Sequence, residues 1–173
     1  YVNLGLAGQM VQAMAANVAR PIAHVKAGKT NIAILVCAGS NDVGTRTAAQ
    51  IYADYQTWHT VMRNAGCLTV GSTCTRSTTP NTVLNDFNAL VRANHSFMDA
   101  FIDFDADPVV GGAGAPSDST LYYDGIHQTS TGYAHIGGRV AAAIEALTNR
   151  ERIRGDTTLA GVAGTFKPYA VIQ

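Results

Sequence analysis

The apolar positions of this chain change period several times. Residues 32–37, Ile-Ala-Ile-Leu-Val-Cys, form an unbroken apolar run, partly β-branched. That is the pattern of a strand buried on both faces of a parallel sheet. Residues 68–74 read as a second strand, and residues 97–105 carry a third that Pro108 helps to end. Between these runs the period lengthens to three and four. Ile51, Tyr55, Trp58 and Met62 line one face of a helix predicted from about 45 to 64, with Gly66 as its stop. Val83, Phe87, Leu90 and Val91 face inward on a helix capped by Asn81 or Thr82 and running to about 94. Tyr133, Ile136, Val140, Ile144 and Leu147 mark a last helix from about Ser130. At the start, residues 1–10 read as a strand ending at Asn3-Leu4, a Gly-rich turn and a helix start. That first helix covers residues 9–20, with Met10, Val11, Met14 and Val18 on its apolar side and Pro21 after it. Strands alternating with helices predict an α/β fold on a parallel sheet.

Composition narrows the picture. The chain has 173 residues, enough for one domain with a real core, and is 47% hydrophobic, so it is globular. Its formal net charge is zero and Lys and Arg do not cluster, which excludes the electrostatic footprint of a nucleic-acid or anionic-membrane binder. The longest apolar run is far too short to span a bilayer. There is no initiator Met and the chain opens inside an apolar segment, which leads to the expectation of a processed or truncated N-terminus. Three cysteines form neither a disulfide framework nor a paired C-x-x-C metal site. Cys37 reads as a buried thiol. Cys67 and Cys74 flank a strand, and both a bridge and two free thiols are open.

The stretch that carries chemistry is Tyr122-Tyr123-Asp124-Gly125-Ile126-His127-Gln128-Thr129. Asp124-Gly125 is a turn pair that runs into the last helix. Positions three apart in a first helical turn share a face, so the Asp124 carboxylate is placed to reach the His127 ring. A carboxylate on Nδ1 leaves Nε2 free to take a proton from a nucleophile. The plainer reading is a turn Asp that caps the helix beside a half-buried His. Asn41, in the loop after the 32–37 strand, sits at the carboxyl edge where α/β proteins bind ligands, and its amide is suited to an oxyanion. Its plainer reading is an Asn-Asp turn capping the next helix. Gly8 at a strand-to-helix turn leaves its N–H open to a ligand, and is otherwise only a turn glycine.

Three other patterns fail. Ala27-Gly28-Lys29-Thr30 imitates a phosphate-binding loop, but a strand follows it where a helix is required. Asp103, Asp105 and Asp107 alternate like calcium ligands, but Pro108 and Gly114 stand where such a loop needs Gly and Glu. No metal site is expected. Asn94-His95-Ser96 is a glycosylation-type tripeptide with nothing to support it.

Taken together and in order, three blocks resemble the SGNH (GDSL-type) hydrolase family over roughly residues 1–148. Asn3-Leu4-Gly5-Leu6-Ala7-Gly8-Gln9 resembles the family's second block, and Gly39-Ser40-Asn41-Asp42 the third. Asp124-Gly125-Ile126-His127 resembles the fifth. The resemblance implies a three-layer α/β/α sandwich with a flavodoxin-like sheet, and cofactor-free hydrolysis of acyl esters. Asp124 and His127 would be the triad acid and base, and Gly8 and Asn41 would donate to the oxyanion. A small acyl ester, with a lean towards an O-acetylated carbohydrate, would be the substrate, in a secreted or extracellular setting.

The family's nucleophile block, a strand ending in Gly-Asp-Ser, is absent from this chain. Gly155-Asp156-Thr157 imitates it, without a preceding apolar strand and with a poor nucleophile. The family's strand order, 2-1-3-4-5, makes the absent strand central, between the strands at Asn3 and Ile32. A preceding segment or separate chain bearing that strand and the Ser is therefore expected. The domain would span residues 1–149. Residues 150–173 would be an extension that packs as extended structure on the domain or on a partner. The competing expectation is a non-catalytic hydrolase-like module of a larger extracellular or virion assembly.

Overall fold

The computed structural model describes residues 2–78, 81–159 and 170–172, with side chains in all but 152–159 and 170–172. Four parallel strands form one sheet in the order β1-β2-β3-β4: β1 is Asn31–Leu35, β2 Cys67–Ser72, β3 Ala100–Ile102 and β4 Ala170–Ile172. The helices are α1 Val11–Ala16, α2 Ala19–Ile22, α3 Ala48–Asn64, α4 Thr82–Ala93 and α5 Ser130–Leu159. Among the described residues, no helix is long and apolar enough to cross a membrane.

Strand alternation divides the core in two. One core holds Leu35, Cys67 and Phe101 from the sheet with Val11 of α1, Ile51, Tyr55, Trp58 and Met62 of α3, and Leu84, Phe87 and Val91 of α4. The other holds Val70, Ala100 and Ile102 with Ile136, Ala143 and Leu147 of α5. The fold is thus α/β in three layers, with α1, α3 and α4 on one face and α5 on the other. Thr47 and Gln50 close a capping box on α3, and the Asn81 side chain caps α4 by accepting from Leu84 N–H.

The carboxyl ends of β1 and β2 are knitted by side chains. Tyr55 is fully buried; its hydroxyl donates to Leu35 O at 2.9 Å and accepts from Ser72 N–H at 2.7 Å. The Ser72 hydroxyl accepts from Cys37 N–H at 2.9 Å, and Cys74 Sγ lies 3.0 Å from Ala38 O. Asn88 of α4 exchanges two hydrogen bonds with the Cys74 backbone, as a neighbouring strand would. The loops that leave β1 and β2 therefore start from a fixed edge.

Several expectations need correction. Residues 2–9 form no strand. The Asn3 side chain instead accepts from Gly5 N–H at 3.0 Å, a local bond that competes with a ladder. With no strand there, β1 is left at the edge of the sheet. Its apolar sequence keeps the character of an inner strand, and Ile34 is 36% exposed although Ile32 and Val36, on the same face, are partly buried against the α5 core. Tyr133 is exposed, so the apolar stripe of α5 starts at Ile136. The first helix is broken at Asn17, whose amide donates to Ala13 O.

At the other end, α5 continues past residue 149 to Leu159, so Gly155-Asp156-Thr157 lies in helix; of the extension, residues 170–172 are a strand paired with β3. The apolar Phe166 and Tyr169 of the extension lie outside the described residues. A bridge between Cys67 and Cys74 is excluded. Cys67 opens β2 and Cys74 follows its far end, Ser72; the strand alone spans roughly 17 Å at about 3.3 Å per residue, against the ~7 Å a disulfide tolerates. All three cysteines are free.

Candidate active site

Asp124 and His127 meet, though not by the expected route. Residues 124–127 form a bend outside any helix. Asp124 Oδ1 accepts the N–H groups of Ile126 (3.0 Å) and His127 (2.7 Å), folding the carboxylate back over its own turn. The other oxygen, Oδ2, is 2.7 Å from His127 Nδ1. An ionised carboxylate only accepts, so the proton of neutral His127 is on Nδ1 and its lone pair on Nε2. Nε2 carries no hydrogen bond among the described residues, and the His127 side chain is 64% exposed. The bond from His127 and the two backbone N–H groups lower the Asp124 pKa to about 2, so it is charged throughout the working range. Gly125 makes the turn possible with φ +79°, and its carbonyl accepts from Thr78 N–H at 2.9 Å.

Gly8 and Asn41 form a second constellation. Gln9 N–H bonds to Leu6 O at 3.3 Å across a turn in which Gly8 has φ +72°. The left-handed conformation suits glycine. Gly8 N–H has no partner among the described residues. Asn41 lies in a 3₁₀ turn, Ser40–Asp42, after β1, and one Nδ2 hydrogen goes to Gln9 O at 3.1 Å. That bond fixes the amide and leaves its second hydrogen available. Asn41 and Asp42 do not cap α3, whose cap is Thr47.

Short bonds stitch these parts into one edge. The 38–42 loop is tied to the 74–78 loop through Ala38 and Cys74. The 74–78 loop is tied to the Asp124 turn through Thr78 and through Gln128 Nε2, which donates to Thr75 Oγ1 at 3.0 Å. The loops that follow β1 and β2 thus lie side by side, with the acid–base pair on one flank and Asn41 with Gly8 on the other. Sequence reasoning missed Thr75, Thr78, Asn88 and Gln128. Thr75, Asn88 and Gln128 act through side chains and Thr78 through its backbone N–H, with partners 14 to 53 residues away, and local patterns carry no such signal.

The alternating aspartates serve elsewhere. Asp103 takes a paired grip from Arg92, and Asp105 is held by Arg92 and Arg76. Asp107 is buried, accepts from Val109 and Val110 N–H and lies 2.9 Å from His135 Nε2. Burial raises its pKa, but the bonds from His135 and the two amides lower it by more, for a net depression. This second Asp–His pair ties α5 to the loop after β3. Cys37 adopts φ +51° and burial pushes its thiol up to about 11, which removes it as a nucleophile. In comparisons with protein-family models, curated proteins and solved structures, nothing matches this chain.

Proposed function

We propose that this chain forms most of a serine ester hydrolase of the SGNH type, with its nucleophilic Ser on a segment outside residues 1–173. The observation that carries the reading is the Asp124 and His127 pair. It joins an ionised, doubly anchored carboxylate to a histidine with its Nε2 lone pair unengaged, on the edge that also bears Asn41 and Gly8. The open edge of β1 supports the second half of the proposal. An apolar edge strand with no charge or Pro to blunt it is a template for another strand. A strand docked there would end beside Asn41.

In this reading the Ser hydroxyl attacks the acyl carbon and its proton passes to His127 Nε2. Asp124 stabilises the imidazolium. Gly8 N–H, Asn41 Nδ2–H and the Ser N–H hold the oxyanion. His127 then protonates the departing alkoxide, and water, activated by the same ring, releases the acid. No cofactor enters. The exposed site, flanked by the hydroxyls of Thr75 and Thr78 and by Tyr123 at 74% exposure, suits an acetylated carbohydrate in an extracellular setting.

The test is to treat the complete natural polypeptide with a fluorophosphonate and locate the adduct by mass spectrometry. The expected result is one modified Ser preceding Tyr1, with labelling abolished in His127→Ala. Absence of any adduct in folded protein favours a non-catalytic module of an extracellular or virion assembly.

A further inference from the structure

We propose that Asp42 is a positioning residue for the oxyanion hole, setting the distance between Gly8 and Asn41; this rests on the esterase reading above. Asp42 is fully buried, yet it belongs to a short turn in an exposed loop region. Its backbone is clamped: Asp42 N–H donates to Gly39 O, and its carbonyl accepts from Thr45 N–H, Thr45 Oγ1 and Arg46 N–H. From that fixed base the carboxylate reaches across 31 residues, and Oδ2 accepts Val11 N–H at 2.9 Å. The other oxygen has no hydrogen bond, with Arg46 Nε 3.8 Å away.

Val11 is the first residue of α1, three positions after Gly8. Asn41, next to Asp42, holds Gln9 O. Two consecutive residues therefore grip the backbone at positions 9 and 11, on either side of Met10. Residues 2–8 are irregular and mostly exposed, and make no long-range hydrogen bond of their own among the described residues. The two donors of an oxyanion hole must both sit about 2.7–3.1 Å from one oxygen. The bond to Asp42 supplies the direction of the chain as it leaves Gly8, which the buried Val11 side chain alone does not define.

The test uses the complete natural polypeptide and an acetyl ester. Asp42→Ala should lower kcat by about 10–100-fold with KM changed less than about threefold, the signature of an interaction made in the transition state. Asp42→Asn keeps an acceptor for Val11 and should stay within about fivefold of wild type. Val11→Pro deletes the donor from the other side. Pro is favoured at the first helical position, and Met10 already has the extended backbone that a following Pro demands. It should reproduce the Asp42→Ala loss, and the two changes together should cost no more than one.

Asp42→Ala combined with Asn41→Ala should cost less than the product of the single losses. Folded Asp42→Ala or Val11→Pro with wild-type kcat, or strictly multiplicative losses with Asn41→Ala, would overturn the assignment. If Asp42→Ala does not fold, Val11→Pro decides. His127→Ala and Asn41→Ala are the controls. If they too retain wild-type rates, the esterase reading fails and takes this inference with it. If they fall while the Asp42 and Val11 variants do not, this inference alone fails.

Discussion

At the scale of single residues, the candidate site is a set of short polar bonds made by exposed turns. Asp124 orients His127 and fixes which nitrogen carries the proton. Asp124→Asn places a donor against the ring and should cost orders of magnitude in kcat, while Asn41→Ala should cost about 10²–10³, the usual worth of one oxyanion donor. Steady-state kinetics on both variants checks this. The Asp-x-x-His spacing was legible in the sequence, but its geometry was not. The contact comes from a carboxylate folded onto its own backbone, whereas the sequence suggested a helical turn.

His59 was not legible as a special residue at all. It shares the apolar face of α3 with Tyr55 and Met62, is fully buried, and neither ring nitrogen has a hydrogen-bond partner among the described residues. Burial, with a smaller effect from Arg63, lowers its pKa to about 3 from the ordinary 6.5. Between those values the unfolded chain binds a proton that the folded chain does not. Stability should therefore fall on acidification below about pH 6.5, by up to about 1.4 kcal/mol per pH unit from this residue. Urea midpoints at pH 7 and pH 5 should separate less in His59→Leu than in wild type.

At the scale of elements, the glycines of the two turns differ in what they are for. Gly8 and Gly125 both have positive φ, but a Cβ on Gly8 meets nothing within 4 Å, while one on Gly125 lands 2.5 Å from the Thr78 side chain. Gly8→Ala should cost only the left-handed backbone strain of about 1–2 kcal/mol. Gly125→Ala adds a clash that pushes the Asp124 turn off Thr78, so it should lower kcat as well as stability. Thermal melts alongside kinetics distinguish the two. The strands β1 to β3 and the helices α3 and α4 were readable because long apolar periods dictate them. The strand expected to end at Asn3-Leu4 did not form among the described residues, because a ladder needs a neighbour and Asn3 satisfies Gly5 locally. The extent of α5 was missed because its last turns lack an apolar stripe, the signal that marked its start.

At the scale of the molecule, the layers follow from strand alternation, and the site follows from the loops that parallel strands deliver to one edge. Among the described residues, β1 and β4 are the two edge strands of the sheet. Removing residues 160–173 from the complete polypeptide takes away β4, so the melting temperature should drop while the candidate site, which β4 does not build, should keep the KM that the proposed esterase reading gives it. In the proposed reading the nucleophile lies outside residues 1–173, on a strand that would pair with β1. The most direct measurement is therefore hydrolysis of p-nitrophenyl acetate by the complete natural polypeptide, wild type against His127→Ala, with folding checked by circular dichroism. The account predicts turnover by the wild type and a loss of about 10⁴-fold or more in kcat for the variant, as expected when the general base of a triad is removed. A folded His127→Ala protein that hydrolyses the ester at the wild-type rate would contradict it.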